Sequence, residues 1–471
     1  VAAFLSNGGI RPGDRVLLSI GNRPEFIACM FGAMRAGAVP VPLNTRQGYS
    51  VLEYIARDSG CSGVIADPTV NASVLKLAES MPLRLRVTVG SGKAGWHSLT
   101  DAKDLEWDFD PPSLTDDALC FLAYTSGSTG KPKGVPLTHR GQLWWVHAAT
   151  TYWPADADDR SLVAMPLYHK NAMAGAVKPR LYSGGTVVLM PRFDVGPYLD
   201  AIERYRCTHL GGVPTMYAML LEEGERLAHL DLSSLKVVVV GSAPVHEELV
   251  RKMSTVFGVP ILQSYGMTEG GPVMLGPPVG GGPVPPASVG RAWPEGEVRL
   301  VAPDGTVSET SGELWVRNPG VTPGYYNLPE VNQDRFVDGW LRTGDLFTRD
   351  ADGFYYFQGR VDDMFNCGGE NIYPKEVENI LLRHPGVREA CVVPVEHATK
   401  GHAPVAMVSL RAGAETDEQE LKSFCLAEGP AYAHPRRVVI VADLPISGAG
   451  KIDRSAIKQA LGSELGVLRS S

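Results

Sequence analysis

Residues 125–134 read TSGSTGKPKG and follow the apolar run ALCFLA. Glycines let backbone amides approach an anion, hydroxyls add donors, and lysines add charge, so this stretch has the composition of a phosphate cradle. It is not a Walker A loop. That motif needs G-x-x-x-x-G-K-[ST], and here Thr125 stands at the first glycine and Pro132 follows Lys131. A flexible surface turn is the other reading of such a run, and other segments must decide between them. Further single residues could do chemistry. Glu269 follows a glycine-containing turn in SYGMTEGG, Asp345 closes TGD, His169 follows PLY, and Lys451 follows GAG. Lys178 lies in the apolar stretch AGAVKP, where a lysine must either escape to solvent along its own stem or meet an anion.

Composition narrows the partners. With 44 Lys+Arg against 52 Asp+Glu the formal charge is −8, so a nucleic-acid surface is not expected and any polyanion must be met locally. The 7 cysteines are scattered, without CxxC or Cys/His ligand spacing, which argues against a disulfide scaffold or a zinc site and fits a reducing cytoplasm. No run approaches the ~18 apolar residues of a membrane span, so no membrane partner is expected. The start VAAFLSNGGIRPGD lacks the pattern of a signal peptide and reads as the end of a helix with residues missing before it.

The elements that must position these residues alternate. Strand-like DRVLLSI, AVPVPLN and SGVIAD are separated by helix-like RPEFIACMFGAMRAG and YSVLEYIARDSG, and the pattern returns from RSLVAMPL through a helix near 171–182, TVVLMP, THLGGV and KVVVVGSAP. This predicts an α/β protein whose large N-terminal domain (1–361) holds two parallel-type layers. Alternating strands and turns predict a β-rich subdomain over 288–350. Residues 362–471 read as a small α+β C-terminal domain, with the boundary near Asp362.

Five ordered motifs, YTSGSTGKPKG, QSYGMTEGG, RTGDLF, GRVDDMFNCGGENIYPKEVE and PISGAGKIDR, resemble those of the adenylate-forming (AMP-binding) enzymes, in particular the acyl-CoA and aryl-CoA synthetases. The resemblance covers essentially the whole chain. It implies ATP-dependent activation of a carboxylic acid to an acyl adenylate with release of pyrophosphate, then transfer to CoA, with ATP, Mg²⁺ and CoA as cofactors and co-substrates. On that pattern Thr125, Ser126, Gly127, Ser128, Thr129, Gly130 and Lys133 cover the outer phosphates, Thr268 donates to the α-phosphate, and Glu269 holds the Mg²⁺. Tyr265, Gly266 and Met267, with Gly241, Ser242 and Ala243, shape the adenine slot, while Asp345 and Arg360 meet the ribose. Lys451 reaches the carboxylate and α-phosphate, then withdraws as the C-terminal domain swings about Asp362. Gly368 and Gly369 then line a pantetheine tunnel.

For the acid itself, the resemblance sets His169 beside the carboxylate and Lys170, Asn171, Gly211, Gly212 and Gly271 around the acyl group. Lys170 and Asn171 depart from the apolar residues that aryl-CoA ligases carry after PLYH. Lys178 would hold a second carboxylate, as a basic residue does in o-succinylbenzoate ligases. Gly211 and Gly212 would leave room for a longer or branched acid. Ser264 stands where a malonate specialist carries arginine, and Ala433 replaces a lysine common in the family. No carrier-module pattern follows Lys451, so free CoA is the expected acceptor. An enzyme loading a separate carrier protein, a luciferase-like oxygenase and a non-catalytic nucleotide sensor are the alternatives. A monomer and a homodimer are both compatible with the sequence.

Overall fold

The computed structural model describes every residue except 91, 101–108, 126–130, 154, 243, 244, 246, 448–450 and 469–471. Ser126, Gly127, Ser128, Thr129, Gly130 and Ala243 therefore lie outside the described residues.

Two all-parallel five-stranded sheets form the larger part of the chain. In the first the order is Val39–Pro42, Arg15–Ser19, Gly63–Ala66, Leu85–Thr88 and His97–Ser98. In the second it is Ile261–Gln263, Val237–Val240, His209–Gly212, Arg160–Val163 and Thr186–Leu189. Their continuous apolar runs are those of strands covered on both faces. The intervening helices carry a single apolar stripe. Pro24–Arg35 starts with proline in its first turn and buries Phe26, Cys29, Met30 and Ala33, the spacing of one helical face. One contiguous core joins Val16, Leu18 and Phe26 of the first layer to Leu162, Leu210 and Val238 of the second. The hairpin Leu119–Thr125 with Lys133–Thr138 pairs antiparallel beside them and pairs Thr125 with Lys133, which brings the two ends of the TSGSTGKPKG loop together.

The helix expected near 171–182 has an irregular middle. It runs as Lys170–Ala172, a π-helical turn Met173–Val177, and Lys178–Tyr182. Such turns hold more residues than an α turn and shift the faces on which later side chains emerge.

The β-rich part is longer than 288–350. A three-stranded sheet already begins at Tyr265–Met267, and the next sheet runs from Glu297–Val301 to Tyr355–Arg360. The composition shift misses the first strands because they are short and glycine-rich. From Phe365 onward a further sheet pairs Val387–His397 with Gly401–Leu410, adds Arg437–Val441 in parallel, and has its own two core clusters. Helices Pro374–Arg383 and Glu418–Glu428 pack on one face of this sheet and Arg454–Leu465 on the other.

Candidate active site

Several of the predicted residues lie at the carboxyl ends of the second parallel sheet, where ligands of such sheets bind. His169 follows strand Arg160–Val163, Gly211 and Gly212 end strand His209–Gly212, Ser242 follows Val237–Val240, and Tyr265 lies just past Ile261–Gln263.

The turn after Tyr265–Met267 is the best-anchored part of the site. Strands Tyr265–Met267 and Gly271–Gly276 pair antiparallel, with Met267 opposite Gly271. All four carbonyls of the turn find donors. Lys170 Nζ donates to Met267 O at 2.9 Å and Thr268 O at 2.7 Å, Thr322 N to Glu269 O at 2.8 Å, and Asn318 Nδ2 to Gly270 O at 2.9 Å. Lys170 is thus committed to backbone, which corrects its expected place beside the acyl group. Burial lowers its pKa from 10.5 to about 7, with Glu269 opposing.

The Glu269 carboxylate is itself buried, and its Oε1 accepts from Tyr325 Oη at 3.0 Å and Thr125 Oγ1 at 3.4 Å. Among the described residues no Lys, Arg or His nitrogen lies within salt-bridge distance of it, and Lys170 acts on it only at longer range, so a cation could still approach the carboxylate. Lys133 Nζ lies 5.0 Å above the Tyr325 ring. Tyr325 was not singled out from sequence. It lies 56 residues from Glu269 in the chain, and nothing local in PGYYNLP marks it.

Asp345 and Arg360 face each other across adjacent strands, with Arg360 Nη1 3.1 Å from Asp345 Oδ1. Tyr265 Oη donates to Asp345 Oδ2, and the Tyr265 ring meets Phe347 edge-on at 4.7 Å. Asp345 is 6% exposed, and its Oδ1 has no hydrogen-bond donor among the described residues despite the nearby guanidinium. Burial raises its pKa against the pull of Arg360. A buried carboxylate oxygen lacking a donor retains an unused acceptor.

Lys451 is brought in from the C-terminal sheet's side of the chain. Burial depresses its pKa, Asp345 opposes this and Arg360 adds to it, so the ammonium lies within electrostatic reach of both. His169 feels Lys451 as well. Burial, then Lys451, lowers its pKa to about 4, leaving a neutral imidazole near pH 7. The backbone beside Lys451 is held by the Ile446–Ile452 bridge and by Ser447 N donating to Lys451 O at 2.7 Å. Arg411 Nη2 to Glu248 Oε2, 2.6 Å, ties the C-terminal sheet to a helix of the second layer.

Other expectations change. Asn171 does not offer its amide to an acyl pocket; Nδ2 donates to Ser242 Oγ at 2.6 Å and holds Ser242 in a left-handed conformation, φ 66°. Gly212 opens no space, because a Cβ there would meet the buried Tyr217 ring at 3.0 Å, whereas one at Gly211 would meet, among the described residues, only Met165 Cε at 3.8 Å. At Gly271, φ 98°, a Cβ would come 3.4 Å from Asn318 Oδ1 and 3.8 Å from Trp144. Lys178 is 6% exposed and does not reach solvent along its stem. It lines a cavity formed with Cys120, His139 and Gln142, which includes none of His169, Gly211 or Gly212. Gly368 and Gly369, φ 63° and 99°, form the two-residue turn of hairpin Phe365–Cys367 with Glu370–Ile372, which alone accounts for glycine at both places. Asp362 sits in the short 3₁₀ turn Val361–Asp363, its Oδ2 3.9 Å from Arg360 Nη2.

Among the described residues no three His, Cys, Asp or Glu side chains gather as a metal cage. A single buried glutamate is the donor set of a Mg²⁺ carried chiefly by substrate phosphates, so Glu269 fits that ion. No helix among the described residues is long and apolar enough to cross a membrane.

Comparison with known proteins agrees with this geometry. The family model of the AMP-binding enzyme matches residues 1–326, and that of the AMP-binding enzyme C-terminal domain matches residues 376–451. A feruloyl-CoA synthase of Amycolatopsis is 37% identical, the alignment covering 98% of this chain and 92% of the relative. An indoleacetate–CoA ligase of Aromatoleum aromaticum is 32% identical, covering 98% and 90%. Among solved structures, ATP-bound MatB from Rhodopseudomonas palustris superposes with a TM-score of 0.90 at 31% identity, covering 98% of this chain and 91% of that one. Apo MatB, with the same identity and coverage, gives 0.78. With one family model matching residues 1–326 and the other residues 376–451, the protein belongs to the AMP-binding enzyme family.

Proposed function

We propose that the protein is an AMP-forming acid–thiol ligase that activates an aryl-type monocarboxylic acid bearing no second charge and transfers it to CoA. The observation that carries the ligase reading is the placement of Lys451 within electrostatic reach of Asp345 and Arg360 of the nucleotide site and of His169 of the acid site. A carboxylate oxygen attacks the α-phosphorus, the bond from that phosphorus to the β-bridging oxygen breaks, and pyrophosphate leaves with the electron pair. The Lys451 ammonium offsets charge on the carboxylate and the α-phosphate as it develops, and the Thr268 hydroxyl adds a donor. Asp345 accepts from a ribose hydroxyl through Oδ1. Glu269 holds Mg²⁺, which neutralises phosphate charge when bound. His169, neutral, can hydrogen-bond the acid without forming an ion pair that would deactivate it. In the second half-reaction the CoA sulfur attacks the acyl carbon, the acyl–phosphate oxygen bond breaks, and AMP departs.

For the second step we assign residues 362–471 to a domain that rotates about Asp362 and withdraws Lys451. The higher TM-score with ATP-bound than with apo MatB supports the present arrangement as that of adenylation. The aryl reading is supported by the feruloyl and indoleacetate relatives, by the open space at Gly211, and by the engagement of Lys170 with backbone. The distal-carboxylate role for Lys178 finds no support in its surroundings. Seven buried, unpaired cysteines support a reducing cytoplasm. Pyrophosphate release with Mg-ATP, measured across hydroxycinnamic, arylacetic, fatty and dicarboxylic acids with and without CoA, tests the assignment. Hydroxycinnamic or arylacetic acids should lead and AMP should form with acyl-CoA; a preference for dicarboxylates would reject it.

A further inference from the structure

Lys178 poses a problem that the ligase reaction does not solve. Its ammonium is buried, yet among the described residues it has no carboxylate partner. Nζ donates to Gln142 Oε1 at 2.7 Å and lies 4.7 Å above the Phe121 ring. The neighbouring Cys120 thiol supplies no counter-charge, since burial raises its pKa to about 11. Burial lowers the pKa of this lysine, because an amide and a ring repay little of the cost of desolvating its charge, and a carboxylate brought against it would favour the charged form again.

The space for that anion is present. Lys178 lines a cavity of about 560 Å³ between helices Pro24–Arg35, His139–Tyr152 and Lys178–Tyr182. Two more polar atoms at the same end lack partners: His139 Nε2 and Gln142 Nε2 are buried and make no hydrogen bond among the described residues. Three nitrogens that can donate therefore belong to residues lining one cavity, a donor set suited to a carboxylate. The remaining wall is mainly apolar, from Phe31 and Met34 on one helix to Val146 and Leu181 on the others, while Leu143, 62% exposed, and the exposed Arg35 complete the lining. Polar groups at one end of an otherwise apolar cleft fix the orientation of a small ligand.

We propose that this cavity is a second ligand site, separate from the site of acid activation, that binds an amphipathic monocarboxylate with its head group on Lys178, His139 and Gln142 and its tail along Phe31 and Met34. One buried lysine at the polar end, with the other lining cation, Arg35, exposed to solvent, and long apolar walls suit a single carboxylate with a hydrocarbon body. The site needs neither ATP nor catalysis, so it stands or falls independently of the activated acid.

The test is a titration of the full chain, labelled with ¹³C-methyl methionine, with decanoate and with decan-1-ol. Met34 reports on the cavity and Met267 on the nucleotide site, each resonance assigned by its Met→Leu variant. Decanoate should shift Met34 saturably with a midpoint of its own. Decan-1-ol, and decanoate on Lys178→Met, should bind about tenfold or more weakly, the loss of charge-assisted hydrogen bonds. Leu143→Glu, at an exposed position that burdens no core, should weaken decanoate alone and keeps the test open if Lys178→Met fails to fold. An unmoved Met34, a single midpoint shared with Met267, equal binding of the alcohol, or unchanged binding in the variants would each overturn the proposal.

Discussion

Replacing Lys170 by methionine separates two energies that the native residue combines. The methionine keeps most of the stem and removes the two donors that hold Met267 O and Thr268 O. Each carbonyl left buried without a partner costs about 1–3 kcal/mol. Against this, the wild type bears a buried lysine whose pKa falls from 10.5 to about 7, worth about 5 kcal/mol between the two protonation states. The sign follows from proton counts. Between pH 7 and 10.5 the unfolded chain holds this proton more fully than the native one, so wild-type stability rises with pH across that window, and the burial penalty is largest below it. Near pH 7 Lys170→Met should therefore melt close to the wild type. Near pH 10 the penalty has been relieved, and the variant should be the less stable by the cost of its orphaned carbonyls, a relative change of about 3–4 kcal/mol. Catalysis should not share this cancellation, because the turn that carries Thr268 and Glu269 loses two of its four carbonyl anchors. Pyrophosphate release should fall by about 10²-fold, as expected when catalytic donors move out of line. Thermal melts at the two pH values, with single-turnover adenylation at pH 7, check both halves. A variant that adenylates normally, or that is equally destabilised at both pH values, would refute the reasoning.

Three further outcomes follow from the same geometry. Lys451→Ala should reduce pyrophosphate formation by about 10²-fold or more while sparing thiolysis of a supplied acyl adenylate, measured in separate half-reaction assays. Tyr325→Phe removes the 3.0 Å hydrogen bond to Glu269 and should raise the Mg²⁺ concentration for half-maximal activity several-fold, with little change in melting temperature. Gly212→Ala should lower stability by about 1–3 kcal/mol, because its methyl would press on the Tyr217 ring at 3.0 Å, whereas Gly211→Ala should leave stability intact and shift the order of acid preference.

The parallel sheets were legible because strands covered on both faces must be apolar at every position, and VVVV at 237–240 or GVIA at 63–66 leaves little else to form. The nucleotide residues were legible for a different reason. Tyr265, Thr268, Glu269, Asp345 and Lys451 each look ordinary alone, and only their order along the chain identifies them. The start of the β-rich part was not legible. Its first strand is three residues long and its neighbour is interrupted by glycine and proline, so neither gives a period long enough to count.

The lysines mark where sequence reasoning stops and why. A lysine in an apolar stretch announces that something must satisfy it, but not what, because that depends on which groups other segments deliver. Lys170 meets two carbonyls from a turn nearly a hundred residues onward, |i−j| 97 and 98, while Lys178 meets an amide from 36 residues before. The π turn between them adds a constraint that no 3.6-residue count contains, and both ammonium groups end within electrostatic reach of Cys120 on the same strand. One lysine is satisfied by the fold and stiffens the turn that carries Thr268 and Glu269. The other has, among the described residues, only a neutral amide and an aromatic face, beside two nitrogens without a hydrogen bond and an open cavity. That difference in partners, rather than any difference in sequence context, is what separates a structural lysine from one that awaits a ligand.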